Sequence, residues 1–131
     1  MENSHDFGEC EFAAVIPLRT VSAANAREHW TKKAARNRKE RLAVALYFRA
    51  CPSILRDSAA PLVVSLRRFG KRLLDDDNLA GSFKAIRDEV AASLRRDDGP
   101  KSGIRWDYSQ AIAKEYAIEI RVRHANEART S

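Results

Sequence analysis

The chain has 131 residues, 44% of them hydrophobic, and its 24 Lys and Arg against 18 Asp and Glu give a net charge of +6. This size and apolar content exclude general disorder and predict a single domain over 1–131, with loose tails at 1–11 and 124–131. No uncharged apolar run approaches the ~18 residues of a membrane span, and the N-terminus is acidic, unlike a signal peptide. We therefore expect a cytoplasmic protein without a membrane partner. Two cysteines, Cys10 and Cys51, are too few for a zinc site or a disulfide framework, and we expect both to be reduced.

The first half of the chain predicts one strand and one long helix. The strand covers the short apolar run 12–18. The helix covers 26–50, where Asn25 and Glu28 form a capping pattern and no Gly or Pro interrupts the run. Its first turns are basic and its last turns apolar, which predicts that it begins near a ligand and ends on the core. Residues 51–60 are expected to form a connecting loop.

The second half predicts a strand over 61–70, a helix over 77–94, and two strands over 104–108 and 116–122 that pair as a hairpin. The helix has apolar residues at the spacing of one buried face: Leu79, Phe83, Ile86, Val90 and Leu94. The order β-α-β-α-β-β predicts an α+β fold, in which two helices pack on one face of a small mixed sheet.

Three adjacent carboxylates, Asp75, Asp76 and Asp77, stand where a strand meets a helix. A single Asp there is usually a helix cap. Three like charges in a row repel one another unless a cation compensates them, and Mg²⁺ is a cation that prefers carboxylate oxygens. If the segment is extended, Asp75 and Asp77 point the same way and form the candidate pair.

Further charged residues follow this cluster. On one continuous helix, Asp77, Lys84 and Asp88 would share a face, although Lys84 and Asp88 could equally form an ordinary ion pair between helix turns. A second source of carboxylates is Asp97-Asp98, in the turn after the helix. Sequence alone does not show whether the fold brings this turn back to the first cluster.

The basic residues form two groups that are separate from the acidic cluster. The group on the long helix comprises Arg27, Lys32, Lys33, Arg36, Arg38, Lys39 and Arg41. The group at the end of the second strand comprises Arg67, Arg68, Lys71 and Arg72. Such groups can contact the phosphates of a DNA arm, and a solvated face is the alternative. Trp30 either stacks on an unpaired base or packs in the core. We favour DNA, because cationic surface near the acidic cluster would offset its repulsion of a polyanion.

The run Asp75-Asp-Asp-Asn-Leu79, with Lys84-Ala-Ile-Arg-Asp88 and Asp97-Asp98 after it, resembles the RusA family of Holliday junction resolvases, many of them phage- or prophage-borne. With the segments 25–30 and 106–110, the resemblance covers roughly residues 12–123. It implies a homodimeric endonuclease of DNA recombination and repair that cuts four-way DNA junctions in paired strands. It also implies that Mg²⁺ is the cofactor, that Mn²⁺ can replace it, and that no small-molecule cofactor is needed.

Carried over by position, the resemblance makes Asp75, Asp77 and Asp98 the metal-binding carboxylates, with Asp97 as the alternative to Asp98, and makes Lys84 the essential lysine. Lys84 follows Asn78 by six residues, whereas the family often has lysine three residues after the Asn. Three helical residues correspond to about 4.5 Å along the axis. Two other functions stay open: a non-catalytic nucleic-acid-binding module of the same fold, and a metal-dependent nuclease for flaps or single strands.

Overall fold

The computed structural model describes residues 11–21, 30–56, 60–96 and 102–125. Its elements, in chain order, are β1 (Phe12–Ile16), α1 (Trp30–Tyr47), a 3-10 turn (Phe48–Ala50), α2 (Ser53–Arg56), β2 (Leu62–Gly70), α3 (Asp76–Ser82), α4 (Lys84–Ser93), β3 (Ile104–Ile112) and β4 (Ala117–His124). The predicted α+β fold is confirmed. No described helix is both long enough and apolar enough to cross a membrane.

The four strands form one mixed sheet in the order β1-β4-β2-β3, in which β2 and β3 are parallel and β4 is antiparallel to both of its neighbours. The predicted hairpin of the last two strands is wrong, because β2 lies between them. The short connection 113–116 crosses the end of β2, where the Ala113 N–H donates to the Gly70 carbonyl at 2.8 Å.

The four described α-helices, where two were predicted, pack on the same face of the sheet, as expected. The hydrophobic core takes only even-numbered residues from the strands, among them Val64, Ile120 and Val122, because side chains alternate between the two faces of a strand. The segment expected to be a plain loop contributes as well. Its residues Ser53–Arg56 form α2, which buries Leu55 completely in this core.

The helix predicted over 77–94 is broken into α3 and α4 at Phe83, whose φ and ψ are −97° and 7°. The Ser82 hydroxyl donates to the Leu79 carbonyl at 2.8 Å, and the Phe83 N–H bonds Ala80 at 3.1 Å instead. A side chain that bonds a nearby carbonyl competes in this way with the regular helix pattern. The predicted apolar face survives the break, and all five of its residues are buried.

Candidate active site

The acidic segment lies where the parallel strands β2 and β3 end. Carboxyl ends of parallel strands share one edge of a sheet, and ligands bind there in many α/β proteins. The Gln110 side chain on β3 bonds both backbone groups of Leu74: its Oε1 accepts from the N–H at 2.9 Å and its Nε2 donates to the carbonyl at 2.7 Å. Leu74 immediately precedes Asp75, so Gln110 ties the acidic segment to β3.

The three carboxylates are exposed at the start of α3. Asp75 is the N-cap residue, with φ −61° and ψ 156°, and its side chain makes no capping hydrogen bond. The helix begins at Asp76, so the segment is not extended, and the strand argument for pairing Asp75 with Asp77 is wrong. Residues two apart in a helical turn do not face each other. What the segment offers is a set of solvent-facing oxygen donors.

Asp97 and Asp98, the predicted second source of metal ligands, lie outside the described residues. Across the described ranges, no group of three or more His, Cys, Asp and Glu side chains converges on one point. Mg²⁺ usually takes one or two protein carboxylates and completes its octahedron with water and phosphate oxygens. Asp75 and Asp77 are exposed oxygen donors, and their assignment as a pair rests on the resemblance alone.

Lys84 is the first residue of α4, and its side chain is 80% exposed. Its Nζ lies 3.8 Å from Asp88 Oδ2, so the ordinary ion pair between helix turns does form. An ion pair this exposed adds little to stability. The break at Phe83 puts Asp77 on α3 and Lys84 on α4, so the single continuous helix on which this expectation depended does not form.

A cleft of about 230 Å³ separates α1 from α3 and α4. Its charged lining consists of four cations and two carboxylates: Lys33, Arg36, Arg41, Lys84, Glu40 and Asp88. Arg41 Nε lies 3.1 Å from Glu89 Oε1, which joins α1 to α4 beside the cleft. The cleft therefore brings the basic helix and Lys84 together and carries an excess of positive charge.

Glu40 is a cleft residue that the sequence reasoning missed. It is 2% exposed, and Arg36 Nη1 lies 3.6 Å from its Oε2 one helix turn away. A buried carboxylate needs a cationic partner. The four-residue spacing of Arg36 and Glu40 is the sequence signal that could have indicated it.

A second cleft, of about 380 Å³, adjoins the other side of Lys84 and Asp88 and is also lined by Arg87 and Tyr108. Arg87 Nη1 donates to the Tyr108 hydroxyl at 3.0 Å. The Arg87 guanidinium also stacks on Trp106, 4.8 Å from the ring centroid. These contacts attach α4 to β3, so Lys84 stands between two clefts on a well-supported helix.

The basic group of the long helix lies on α1, except for Arg27, which falls outside the described residues. Lys32, Lys33 and Lys39 are exposed. Trp30 is 72% exposed, so the alternative that placed it in the core is wrong. The described part of this group is accessible to a large ligand.

The second basic group divides between the two faces of the sheet. Arg67 is exposed, whereas Arg68 lies on the helix-covered face and is only 6% exposed. Arg68 Nη1 donates to the Arg72 carbonyl at 2.7 Å, and burial lowers the pKa of its guanidinium. The assignment of Arg68 to a DNA-contacting surface is therefore corrected: it holds the turn after β2. Lys71 and Arg72 are exposed in that turn.

Comparison with models of known protein families gives no match, and comparison with curated proteins finds no similar sequence.

Proposed function

We propose that this chain is a Mg²⁺-dependent endonuclease that resolves four-way DNA junctions by paired phosphodiester hydrolysis, as its resemblance to the RusA family implies. The observation that carries the proposal is the cleft between α1 and α4. Lys33 and Arg36 from the basic helix line it together with Lys84, although these residues are far apart in the sequence. Hydrolysis of a polyanion needs cationic surface that holds its phosphates, and the cleft supplies it at the C-terminal end of α3, while the exposed carboxylates stand at the N-terminal end of the same helix.

In this proposal each group of residues has its own task. Asp75, Asp77 and Asp98, or Asp97 in place of Asp98, would hold Mg²⁺, and the bound ion would supply activation of water and neutralisation of charge on the phosphoryl oxygens. Lys84 binds the scissile phosphate through its exposed ammonium group. The cations of α1 hold phosphates farther along the DNA arm and lower the repulsion between the substrate and the acidic segment.

Symmetric cuts in paired strands call for two sites related by a two-fold axis, so we propose a homodimer. Sedimentation at working concentration tests this, and a monomer that still makes paired cuts would contradict it. A cytoplasmic location in a bacterium, with a phage or prophage gene as the source, belongs to the same proposal.

The direct experiment compares a labelled four-way junction with a linear duplex of matched sequence, in Mg²⁺ and in EDTA. We expect paired nicks that occur only at the junction and only with the metal. Junction binding without cleavage in any divalent metal would support the non-catalytic binding module instead. Preferred cleavage of flaps or single strands would support the third function, and both results would overturn the proposal.

The acidic segment contains its own matched control. Asp75→Asn and Asp77→Asn are expected to abolish cleavage and leave junction binding in EDTA intact. Asp76→Asn removes the same charge from the same helix turn and is expected to keep cleavage. Equal loss of cleavage in all three variants would indicate a general effect of charge and would contradict the assignment of Asp75 and Asp77 as ligands.

A further inference from the structure

Four arginines lie on the sheet face opposite the helices. They are Arg67 on β2, Arg105 on β3, and Arg121 and Arg123 on β4. All occupy odd-numbered positions, and the hydrophobic core takes only even-numbered strand residues. No described helix packs on this face.

The strand register brings these arginines together. Val63 on β2 pairs with Arg123 on one side and with Arg105 on the other, so the two arginines flank β2 in a single row. Two strand spacings separate them by roughly 10 Å. In the next row the central residue is Ser65. Its small side chain projects only a short distance from the sheet. The two rows therefore differ: Arg123 and Arg105 flank Val63, which is 2% exposed, whereas Arg121 and Asp107 flank the partly exposed Ser65.

Acidic neighbours offset only part of this charge. Glu119 Oε2 lies 3.1 Å from Arg121 Nε, and Asp107 Oδ2 lies 3.5 Å from Arg105 Nη2. Arg67 and Arg123 form no ion pair with another described residue. Counted over the described residues of β2, β3 and β4, four cations against two carboxylates leave an excess of two positive charges on this face, which also carries the partly exposed Phe69.

We propose that this open sheet face is a second contact surface for DNA phosphates, on the opposite side of the molecule from α1. Excess positive charge suits a phosphate backbone. A second copy of the chain is a poorer occupant, because a two-fold contact would press the same positive excess against itself. A four-way junction has several arms, which can reach opposite sides of one protein. The proposal rests on DNA being the ligand, as proposed above, but does not require cleavage.

The test is equilibrium binding of a four-way junction in EDTA over a series of salt concentrations. The logarithm of the association constant falls linearly with the logarithm of the salt concentration. Each lost phosphate contact reduces the steepness of this line by about one. The double variant Arg105→Gln/Arg123→Gln is expected to lower the slope by about two, whereas Arg49→Gln/Arg95→Gln removes two exposed arginines elsewhere and is expected to leave it unchanged. Arg105→Lys/Arg123→Lys, which keeps the charges, is expected to preserve the slope, and circular dichroism of both double variants checks that the sheet folds.

An unchanged slope in the folded double Gln variant would overturn the inference. A change from dimer to monomer with no change in slope would also overturn it and assign the face to a contact between two copies. The two proposals fail separately: if the wild-type protein binds junctions but never cuts them, the proposed endonuclease fails and the slope test stands. If it cuts them while the double variant binds with the wild-type slope, only this inference fails.

Discussion

The Arg68 guanidinium occupies the space that a side chain on Gly70 would fill. A Cβ placed on Gly70 would lie 2.8 Å from Arg68 Nη1 and 2.9 Å from its central carbon. Real Cβ atoms do not approach other atoms so closely, and the Arg68 side chain is buried and bonded to the Arg72 carbonyl. The end of β2 thus depends on a glycine and an arginine that fit each other.

Gly70→Ala is expected to destabilise the fold by about 1–3 kcal/mol, the usual effect of overpacking. Gly81→Ala is the matched change, because nothing lies within 4 Å of its Cβ position inside α3. We expect Gly81→Ala to stabilise the protein by about 0.4–1 kcal/mol by restricting the unfolded chain. Denaturant unfolding measures both. Equal effects of the two substitutions would contradict the steric argument.

The same contact predicts coupling between the two positions. In the double variant Gly70→Ala/Arg68→Met, the obstacle to the new methyl group is smaller, so the two losses of unfolding free energy should not add. A double-mutant cycle measures this interaction, and residues in contact typically show about 0.5–3 kcal/mol. Strict additivity would show that the Arg68 side chain moves away without cost.

Gln110→Ala is expected to destabilise the protein by about 1–3 kcal/mol, because it leaves the N–H and the carbonyl of Leu74 without their partner. Under the proposed function it should also raise the Mg²⁺ concentration needed for cleavage, since Asp75 follows Leu74 directly. Ser109→Ala on the exposed face of the same strand is the control, with an expected effect within about 0.5 kcal/mol. A normal metal requirement in Gln110→Ala would show that Gln110 does not position the acidic segment.

Tyr108→Phe removes the hydroxyl that accepts a 3.0 Å hydrogen bond from Arg87 and keeps the ring. We expect a loss of about 0.5–1.5 kcal/mol in thermal or denaturant unfolding. Tyr47→Phe makes the same chemical change at an exposed position on α1 and should have almost no effect. If both substitutions are neutral, the Arg87 contact contributes nothing to the attachment of α4.

Burial raises the pKa of the Cys51 thiol, and the nearby Arg56 opposes this only in part. In a Cys10→Ser background we expect slow alkylation of native Cys51 and fast alkylation after unfolding, because the thiolate is the nucleophile. The raised pKa also predicts stability that is full below the ordinary thiol pKa and decreases as pH rises toward the folded-state value. Fast reaction of the folded protein near neutral pH would contradict the burial argument.

Local patterns were enough to predict most of the elements. Alternation indicated the strands, and the spacing from Leu79 to Leu94 indicated a buried helix face that the structure confirms. These signals arise because one face of each strand or helix packs on the core, so its apolar residues recur at the period of that element. The break at Phe83 escaped them, because it depends on one serine hydroxyl that bonds the Leu79 carbonyl.

By itself, the sequence determined the α+β class, the apolar face of the helical segment from Leu79 to Leu94 and the position of the acidic segment between β2 and α3. Only the tertiary structure decided that β2 separates β3 from β4, that Arg68 is buried while Arg67 is exposed, and that Lys33 and Lys84 line one cleft. The physical reason is that periodicity records which side of a segment faces the core. It does not record which segments become neighbours, because that depends on how all the apolar faces are buried together.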